Sequence, residues 1–338
     1  MNPLIKITGL TKRFQQNLKH AVKSVSFDLQ RGEIVTIVGS SGSGKTTLLR
    51  MISGLEIPDS GQIILNGKII NSSNIYVPPE KRNCSLVFQS YALFPNMTVN
   101  QNIYFGKNSI QNDILIKKLI EITNILEIQN RYPHQISGGQ QQRVALVRAL
   151  ALNPSLLLMD EPLSHLDQNL RNKIRNEISN LFREIGITAL IVSHDTEDAM
   201  SISDRIIVLD EGEIIQIGTP QEVYTKPINR YSALLFGTSN FIPFNLVKGD
   251  SNYFHDEKSN CSVVSVRPHQ LEIIQDEIPD DKMILEGEVL SVSLLGSHKQ
   301  VQIKCNKLII EINLPNSYDV QRGKNLKLSI TEDLLNNF

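Results

Sequence analysis

The chain has 338 residues, a formal net charge of -1, 41% hydrophobic residues and 20% charged residues. This length is enough for two domains, and the composition is that of an ordinary globular protein rather than a disordered or fibrous one. The near-zero charge argues against a dedicated nucleic-acid binder. Cys84, Cys261 and Cys305 are odd in number and scattered, which argues against a disulfide framework or a metal-ligand spacing and suits a reducing cytosol.

No apolar run reaches the roughly twenty residues that a membrane-spanning helix needs. Lys6 also interrupts the N-terminal segment that would have to be the core of a signal peptide. We therefore expect a soluble chain, whose membrane role, if it has one, depends on a partner.

The N-terminal part of the chain has the pattern of strands that lead into a glycine-rich loop. LIKITGLTKRF and AVKSVSFDLQ alternate as half-buried strands do, and EIVTIVG is a continuous apolar strand. The helix after the loop is expected to end at Gly54, and QIILNG and KII form strands around a tight turn at Asn66 and Gly67. Apolar spacing at i, i+3, i+4 and i+7 predicts helix from Asn100 to about Asn130.

The middle of the chain alternates strands and helices. SLLLMDEP and TALIVSHD are typical of buried strands, NLRNKIRNEISNLFREIG is an amphipathic helix, and a helix with QEVYTKP closes this part near Tyr231. Such alternation after a phosphate loop predicts a parallel sheet covered on both faces. Beyond about Phe241, short β-like runs with turns at Gly296, Asn306 and Gly323 predict a small barrel or sandwich.

GSSGSGKTT fits the pattern of a phosphate-binding loop in full, and it lies between an apolar strand and a helix. Its glycines let backbone N–H groups face the β- and γ-phosphates of a nucleotide, Lys45 adds positive charge there, and the Thr46 hydroxyl is suited to ligate Mg²⁺. The predicted nucleotide-binding residues of the loop are Gly39, Ser40, Ser41, Gly42, Ser43, Gly44, Lys45, Thr46 and Thr47.

Two adjacent carboxylates, Asp160 and Glu161, end the apolar run of SLLLMDEP. Adjacent residues at a strand end point in different directions. Asp160 can therefore hold metal-bound water, while Glu161 faces the γ-phosphate and acts as general base on the attacking water. The alternative is a carboxylate pair that caps a strand end in solvent.

The chain resembles the ATP-binding subunit of an ABC transporter over nearly its whole length, with the motifs in the family's order. The further motifs are the glutamine of LVFQSYALFP (Gln89), the signature after Ile136 (Ser137, Gly138, Gly139, Gln140), the loop SHLD ending at Asp167, and the switch histidine of IVSHD (His194). The resemblance implies an α/β P-loop ABC ATPase domain at 1–235, with a mixed sheet and a helical subdomain at about 90–155. A β-rich regulatory domain with an OB-like barrel is implied at 240–338.

The resemblance also implies roles for single side chains. Gln89 can contact the metal and the attacking water, and His194 can donate a hydrogen bond to the γ-phosphate, with a structural histidine as the alternative. Phe14 is suited to stack on adenine beside Ala21, with a core phenylalanine as the alternative. The implied catalytic residues are Glu161, His194 and Gln89, and the implied metal ligands are Thr46, Gln89 and Asp160.

Two positions depart from the family's usual pattern. Ile136 opens the signature where leucine is commoner, a swap of similar volume that should cost little. His165 stands in the SHLD loop where a small alanine is usual. We expect activity to survive both changes.

One chain carries one phosphate loop and one signature. The signature opens the helix QQQRVALVRAL, where it is built to face phosphate, but it is redundant for the nucleotide bound by Lys45. The family pairs two copies head to tail, so that each signature closes over the ATP of the other copy. We therefore predict a homodimer that ATP holds together.

The segment after the glutamine motif, YALFPNMTVNQNI, is a predicted dock for a membrane subunit. It contains Tyr91, Phe94, Pro95, Met97 and Val99, which we expect to be exposed apolar residues, with core packing as the alternative. The resemblance implies two integral membrane permease subunits and, indirectly, an extracytoplasmic solute-binding protein. It also implies ATP and Mg²⁺ as cofactors and a peripheral location at the cytoplasmic face of the inner membrane.

The β-rich tail, with SVRPHQLEI, resembles the regulatory domain of importer ATPases that serve sugars, polyamines, ferric iron and phosphonates, and the ferric iron branch most. A soluble ABC ATPase acting on nucleic acid is the alternative, with Lys299, Lys304 and Lys307 as a basic edge of the barrel. The neutral charge and single ATPase unit argue against it, and such lysines commonly protect sheet edges. No nucleic-acid partner is therefore expected, and a P-loop kinase would give no reason for ISGGQ.

Overall fold

The computed structural model describes residues 2–14, 19–106, 111–164, 168–244, 253–274 and 284–330. The chain divides into two compact units, Met1–Gln221 and Glu222–Phe338. The predicted domains, 1–235 and 240–338, assign residues 222–235 differently, and their limits stay a prediction.

The first unit is built on two sheets. Its strands are β1 (Ile5–Lys12), β2 (Val22–Leu29), β3 (Ile34–Val38), β4 (Ser60–Leu65), β5 (Lys68–Asn71), β6 (Cys84–Val87), β7 (Leu156–Asp160), β8 (Ala189–Ser193), β9 (Arg205–Asp210) and β10 (Glu213–Gly218). A four-stranded antiparallel sheet has the order β2-β1-β4-β5, and a six-stranded sheet has the order β10-β9-β3-β8-β7-β6. The latter is parallel except for the β9–β10 pair, so the predicted mixed sheet is confirmed.

The six-stranded sheet is covered on both faces, as predicted. Leu157 and Met159 of β7 pack in one hydrophobic core, and Leu156 and Leu158 of the same strand pack in a second. Because successive side chains of a strand point to opposite faces, a strand between two cores must be apolar at every position. This explains the largely apolar runs of β3, β7 and β8, in which the polar residues are Thr36 and the last residues Asp160 and Ser193.

The helices are α1 (Lys45–Ser53), α2 (Val99–Tyr104), α3 (Gln111–Ile122), α4 (Gly138–Leu150), α5 (Gln168–Ile185), α6 (Thr196–Ile202), α7 (Pro220–Thr225) and α8 (Arg230–Leu235). The helix predicted from Asn100 to Asn130 is in fact interrupted, since α2 ends at Tyr104 and α3 at Ile122, and residues 107–110 lie outside the described part of the chain. In the part of the chain that is described, no helix combines the length and hydropathy needed to cross a membrane.

Parallel strands place the motifs at one edge of the sheet. The phosphate loop follows β3, the carboxylate pair ends β7, and His194 follows β8. These three strands are neighbours and run in the same direction, so their carboxyl ends meet at one edge. Parallel α/β sheets bind ligands at this edge.

Beyond α8 the described residues of the second unit form β-strands and one short 3-10 turn at Pro268–Gln270, which confirms the predicted β-rich, barrel-like domain. Its strands are β11 (Asn240–Pro243), β12 (Tyr253–Asp256), β13 (Cys261–Val266), β14 (Leu271–Ile273), β15 (Ile284–Leu294), β16 (His298–Cys305), β17 (Leu308–Pro315) and β18 (Asn325–Ile330). They form antiparallel sheets of order β11-β13-β12 and β14-β18-β15-β16-β17, which share one core. The Asn240 amide joins the sheets, because it donates to the Glu311 carbonyl and accepts from the Glu311 N–H, both at 2.7 Å.

Asp256 is the centre of a buried polar cluster in the second unit. It is 2% exposed and accepts hydrogen bonds from Arg230 Nε at 2.6 Å, from Arg230 Nη2 at 2.7 Å and from the Ser259 N–H at 2.9 Å. The Arg230 guanidinium, with help from Ser259, holds the pKa of the Asp256 carboxyl well below its usual range.

We expect Asp256→Asn to lower the free energy of unfolding at pH 7 by about 2–4 kcal/mol, because Arg230 loses its partner. The folded pKa of Asp256 is depressed, so its contribution is complete above about pH 4 and declines as the pH falls further. Urea unfolding of the full chain at several pH values is the measurement, with the exposed Asp319→Asn as control. A variant whose stability declines below pH 4 as steeply as the parent's would contradict this assignment.

Candidate functional site

Glycines shape the loop between β3 and α1. Gly42 and Gly44 have φ values of 83° and 103°, which L side chains rarely adopt. A Cβ on Gly44 would lie 2.1 Å from the carbonyl oxygen of Ala21, and one on Gly39 would lie 2.1 Å from that of Leu209. No side chain caps the start of α1, so its first N–H groups are available to an anion.

Lys45 is buried in this loop with 6% of its surface exposed. Its Nζ donates to the carbonyl oxygens of Gly39 and Ser40, both at 2.9 Å, and lies 3.5 Å from Ser43 Oγ. Burial lowers the pKa of Lys45, and the charges of Glu161 and Asp160 raise it in part. A phosphate oxygen in the loop would stabilise the protonated amine that desolvation disfavours.

Thr46 and Asp160 form a pair of oxygen ligands beside the lysine. The Thr46 hydroxyl donates to Asp160 Oδ1 at 3.1 Å. Burial raises the pKa of Asp160, and the hydrogen bond from Thr46 opposes this. A hydroxyl and a carboxylate are oxygen donors of the kind that Mg²⁺ prefers, so the predicted metal ligands fit the ion chemically.

A cavity of about 370 Å³ opens beside these groups. Its lining residues are Ala21, Ser41, Gly42, Gly44, Lys45, Thr46, Thr47, Glu161 and His194. The fold therefore brings the phosphate loop, the second carboxylate and the switch histidine to one space, although they are far apart in the sequence.

Glu161 joins three elements through its side chain. Its Oε2 accepts from Gln89 Nε2 at 3.0 Å, and its Oε1 lies 3.1 Å from His194 Nδ1. Gln89 Nε2 is also 3.3 Å from Ser164 Oγ, a contact that the sequence did not indicate. The Glu161 backbone has a φ of 47°, and its N–H donates to the Val192 carbonyl, so β8 fixes the residue. Gln89, Glu161 and His194 therefore form a connected row, which we call the carboxylate ladder, and Glu161 and His194 of this row line the cavity.

The signature residues open α4 with a capping box. Ser137 Oγ accepts from the Gln140 N–H at 3.4 Å, and Gln140 Oε1 accepts from the Ser137 N–H at 3.0 Å. Ser137 and Gly138 are exposed, and no signature residue lines the cavity of Lys45. The signature is thus a second, outward-facing helix N-terminus rather than a part of the first phosphate site.

Comparison with known proteins decides the family. Residues 22–164 match the ABC transporter family. The spermidine/putrescine import ATP-binding protein PotA of Bacillus cereus is 40% identical over 312 residues, which cover 91% of this chain and 89% of that protein. The Fe(3+) ions import ATP-binding protein FbpC 2 of Haemophilus influenzae is 37% identical over 342 residues, which cover 96% of this chain and 94% of that protein. The chain belongs to the ATP-binding proteins of ABC importers. Its activity is therefore ATP hydrolysis coupled to import.

A solved structure supports this membership of the ABC ATPases. The ATP-binding cassette MJ0796, as a post-hydrolysis dimer with ADP and Pi, has 30% sequence identity and a TM-score of 0.54. The similarity covers 64% of this chain and 98% of that chain. The nucleotide-binding fold predicted from the phosphate loop is confirmed.

Phe14, a predicted nucleotide contact of this ABC ATPase, lies outside the lining of the cavity. Phe14 is 37% exposed and does not line it, whereas Ala21 does. The Lys12 amine lies 5.4 Å from the centre of the Phe14 ring, which shows that the ring face accepts a cationic neighbour. Asp167 and His165 lie outside the described residues. The roles of Phe14 and Asp167 stay predictions.

The segment predicted to bind a membrane subunit contributes fewer exposed apolar residues than expected. Tyr91 is 6% exposed and Val99 is fully buried in the core, so the prediction that they face solvent is wrong for both. Phe94 does line an apolar groove of about 500 Å³. Its other apolar lining residues, which the sequence did not single out, include Leu55, Phe88, Phe105 and Leu152.

Proposed function

We propose that this chain works as a homodimer of ATPase subunits on two integral membrane permease subunits, at the cytoplasmic face of the inner membrane. The observation that carries the proposal is the carboxylate ladder beside the phosphate loop. It connects the residue that we propose as general base to two groups that can respond to the nucleotide, Gln89 and His194.

The phosphate loop supplies the nucleotide site. The N–H groups at the start of α1 and the buried Lys45 amine are suited to the phosphates of ATP. Thr46, Asp160 and Gln89 would hold Mg²⁺, which supplies charge compensation for the phosphate oxygens when it is bound. The close approach of Gly39 and Gly44 to neighbouring carbonyl groups keeps this space free of side chains.

Glu161 is the proposed general base. It lines the cavity with its carboxylate between Gln89 and His194, where it can take the proton of a water that attacks the γ-phosphate. Gln89 orients that water, and His194 donates to the γ-phosphate. Asp160 sits one residue earlier on the other side of the strand end, beside Thr46.

A second copy of the chain is proposed to complete the site. Ser137 and Gly138 are exposed at the N-terminus of α4, where the Ser137 side chain caps the N–H of Gln140. The relative MJ0796 was solved as a dimer. We propose that the signature of each copy, with Asp167, closes over ATP in the other copy, so that ATP binding joins the subunits and hydrolysis releases them.

The apolar groove is the proposed contact with the permeases. Phe88 and Phe94 line it on either side of the turn that follows Gln89. A helix of a membrane subunit with an apolar face fits a groove of this chemistry. A subunit docked here would lie a few residues from Gln89, which links docking to the state of the nucleotide.

The proposed cargo is a cationic solute, delivered by an extracytoplasmic binding protein. The relatives import spermidine and putrescine in one case and Fe(3+) ions in the other, at similar identity. Ferric iron and a polyamine are therefore the two candidates, and sugars and phosphonates are alternatives.

The test is ATPase activity of this chain copurified with its native membrane subunits. Binding protein loaded with ferric iron, binding protein loaded with spermidine, and the unloaded proteins are compared. We expect one loaded form to stimulate hydrolysis, and the stimulation to disappear in Glu161→Gln. A response to a sugar or phosphonate protein instead would overturn the cationic cargo. Absence of any copurified membrane subunit would overturn the docking proposal.

A further inference from the structure

Arg148, near the carboxyl end of α4, contacts the segment that follows Gln89. Its Nη1 donates to the carbonyl oxygen of Ala92 at 2.8 Å, and its Nη2 donates to that of Tyr91 at 2.9 Å. The guanidinium carbon lies 5.4 Å from the centre of the Phe94 ring. One side chain thus binds two consecutive carbonyl groups, and it also lines the apolar groove proposed as the permease contact.

The two residues that Arg148 binds have an unusual backbone. Tyr91 has a φ of 61° and Ala92 has a φ of 46°, so both are left-handed although neither is glycine. Such conformations are sparsely populated and persist where the surroundings hold them. The two hydrogen bonds from one planar guanidinium hold the Tyr91 and Ala92 carbonyl groups toward the same side chain, which stabilises this conformation.

The left-handed turn is close to the carboxylate ladder. Gln89 precedes Tyr91 by two residues, and its amide donates to Glu161. The Tyr91 N–H donates to the Phe88 carbonyl at 2.9 Å, so the turn folds back across Gln89. The direction in which the Gln89 side chain leaves the backbone therefore depends on this turn.

Resting on the proposed function, we infer that Arg148 is a positioning residue, which fixes Gln89 by holding the left-handed turn at Tyr91 and Ala92. Arg148 is ten residues from Gly138 on the same helix, a distance of roughly 15 Å along its axis. Because α4 carries the signature at one end and Arg148 at the other, a shift of the signature over ATP moves the turn and with it Gln89. Contact with a second copy is thereby transmitted through α4 and Gln89 to the catalytic carboxylate of Glu161.

The first test is Arg148→Met in the full-length chain. Methionine keeps an unbranched stem against Phe94 but donates no hydrogen bond. We expect kcat for ATP hydrolysis to fall by about ten- to hundredfold through misplacement of Gln89. The Mg²⁺ concentration for half-maximal activity should rise, because Gln89 is a proposed ligand of that ion. The melting temperature shows whether the variant is folded. An unchanged Mg²⁺ dependence would overturn the inference.

The second test is rescue by glycine. Ala92→Gly in the Arg148→Met background removes the steric penalty of the left-handed conformation, since glycine adopts it freely. We expect kcat and the Mg²⁺ dependence to return most of the way to those of Ala92→Gly alone. Ser90→Gly in the same background is the matched control, because Ser90 is not left-handed, and it should not rescue. Equal rescue by both glycines, or by neither, would overturn the inference.

The third test is a double-mutant cycle with Gln89→Ala. If Arg148 acts through Gln89, Arg148→Met should lower kcat by less than about twofold when Gln89 is already absent. Full additivity of the two losses would show that Arg148 acts by another route. Failure of the proposed function would give a different result. The parent chain would then show no ATPase activity that Glu161→Gln could remove.

Discussion

Glu161→Gln is expected to lower kcat for ATP hydrolysis by at least about a hundredfold and to leave an ATP-bound dimer. Glutamine has nearly the same shape as glutamate but cannot take a proton from the attacking water. Gln89 and His194 contact this side chain at 3.0 and 3.1 Å, so the cavity should keep its form around the neutral amide. Phosphate release measures the first effect, and sizing chromatography with ATP measures the second.

The control for Glu161→Gln is Glu121→Gln, an exposed carboxylate on α3 that should behave as the parent. A monomeric elution profile of Glu161→Gln with ATP would contradict the proposal that ATP joins two copies. A variant that no longer binds ATP would show instead that Glu161 holds the nucleotide, which is not the role proposed for it.

Gly44→Ala is expected to abolish ATP binding and to lower the free energy of unfolding by about 3 kcal/mol or more. The substitution combines a left-handed backbone, at a φ of 103°, with a Cβ placed 2.1 Å from the Ala21 carbonyl oxygen. Since the neighbour is backbone, the loop must move, and the start of α1 moves with it. Urea unfolding and titration with a fluorescent ATP analogue are the measurements.

Gly42→Ala separates backbone strain from close contact. Gly42 has a φ of 83° but nothing within 4 Å of a built Cβ. Its substitution should therefore cost only the left-handed penalty of about 1–2 kcal/mol. If the two variants lost equal stability, the approach of Gly44 to Ala21 would not be what requires a glycine there.

Many of the elements whose signal is local were predicted from the sequence, although no strand was assigned to β9 or β10. β3, β7 and β8 were found because burial on both faces makes nearly every position apolar, and the turn at Asn66 and Gly67 was found because these residue types favour the positive φ that both adopt. β6 was missed because it has four residues and only two of them are buried. Such a strand exists through its pairing with β7, a contact that no window of sequence contains.

The same distinction applies to the candidate site. The phosphate loop, the carboxylate pair and the signature are contiguous motifs, and each could be recognised from its own spacing. Ser164 beside Gln89 and Arg148 beside Tyr91 are contacts between distant segments, which residue type does not predict. Tyr91 and Val99 were expected at the surface because they belong to an apolar segment beside Gln89 that proline interrupts, but the structure places both in the core.

The contact between Glu161 and His194 determines which nitrogen of the imidazole ring carries the hydrogen. A carboxylate only accepts, so Nδ1 of His194 must carry the hydrogen that points at Glu161. A neutral imidazole then has a bare Nε2, which cannot donate to a phosphate oxygen. If His194 engages the γ-phosphate as proposed, the neutral ring must first leave Glu161 and reorient. The arrival of ATP would then free one oxygen of the proposed general base for water, so the contact between His194 and Glu161 would restrain hydrolysis until ATP is bound.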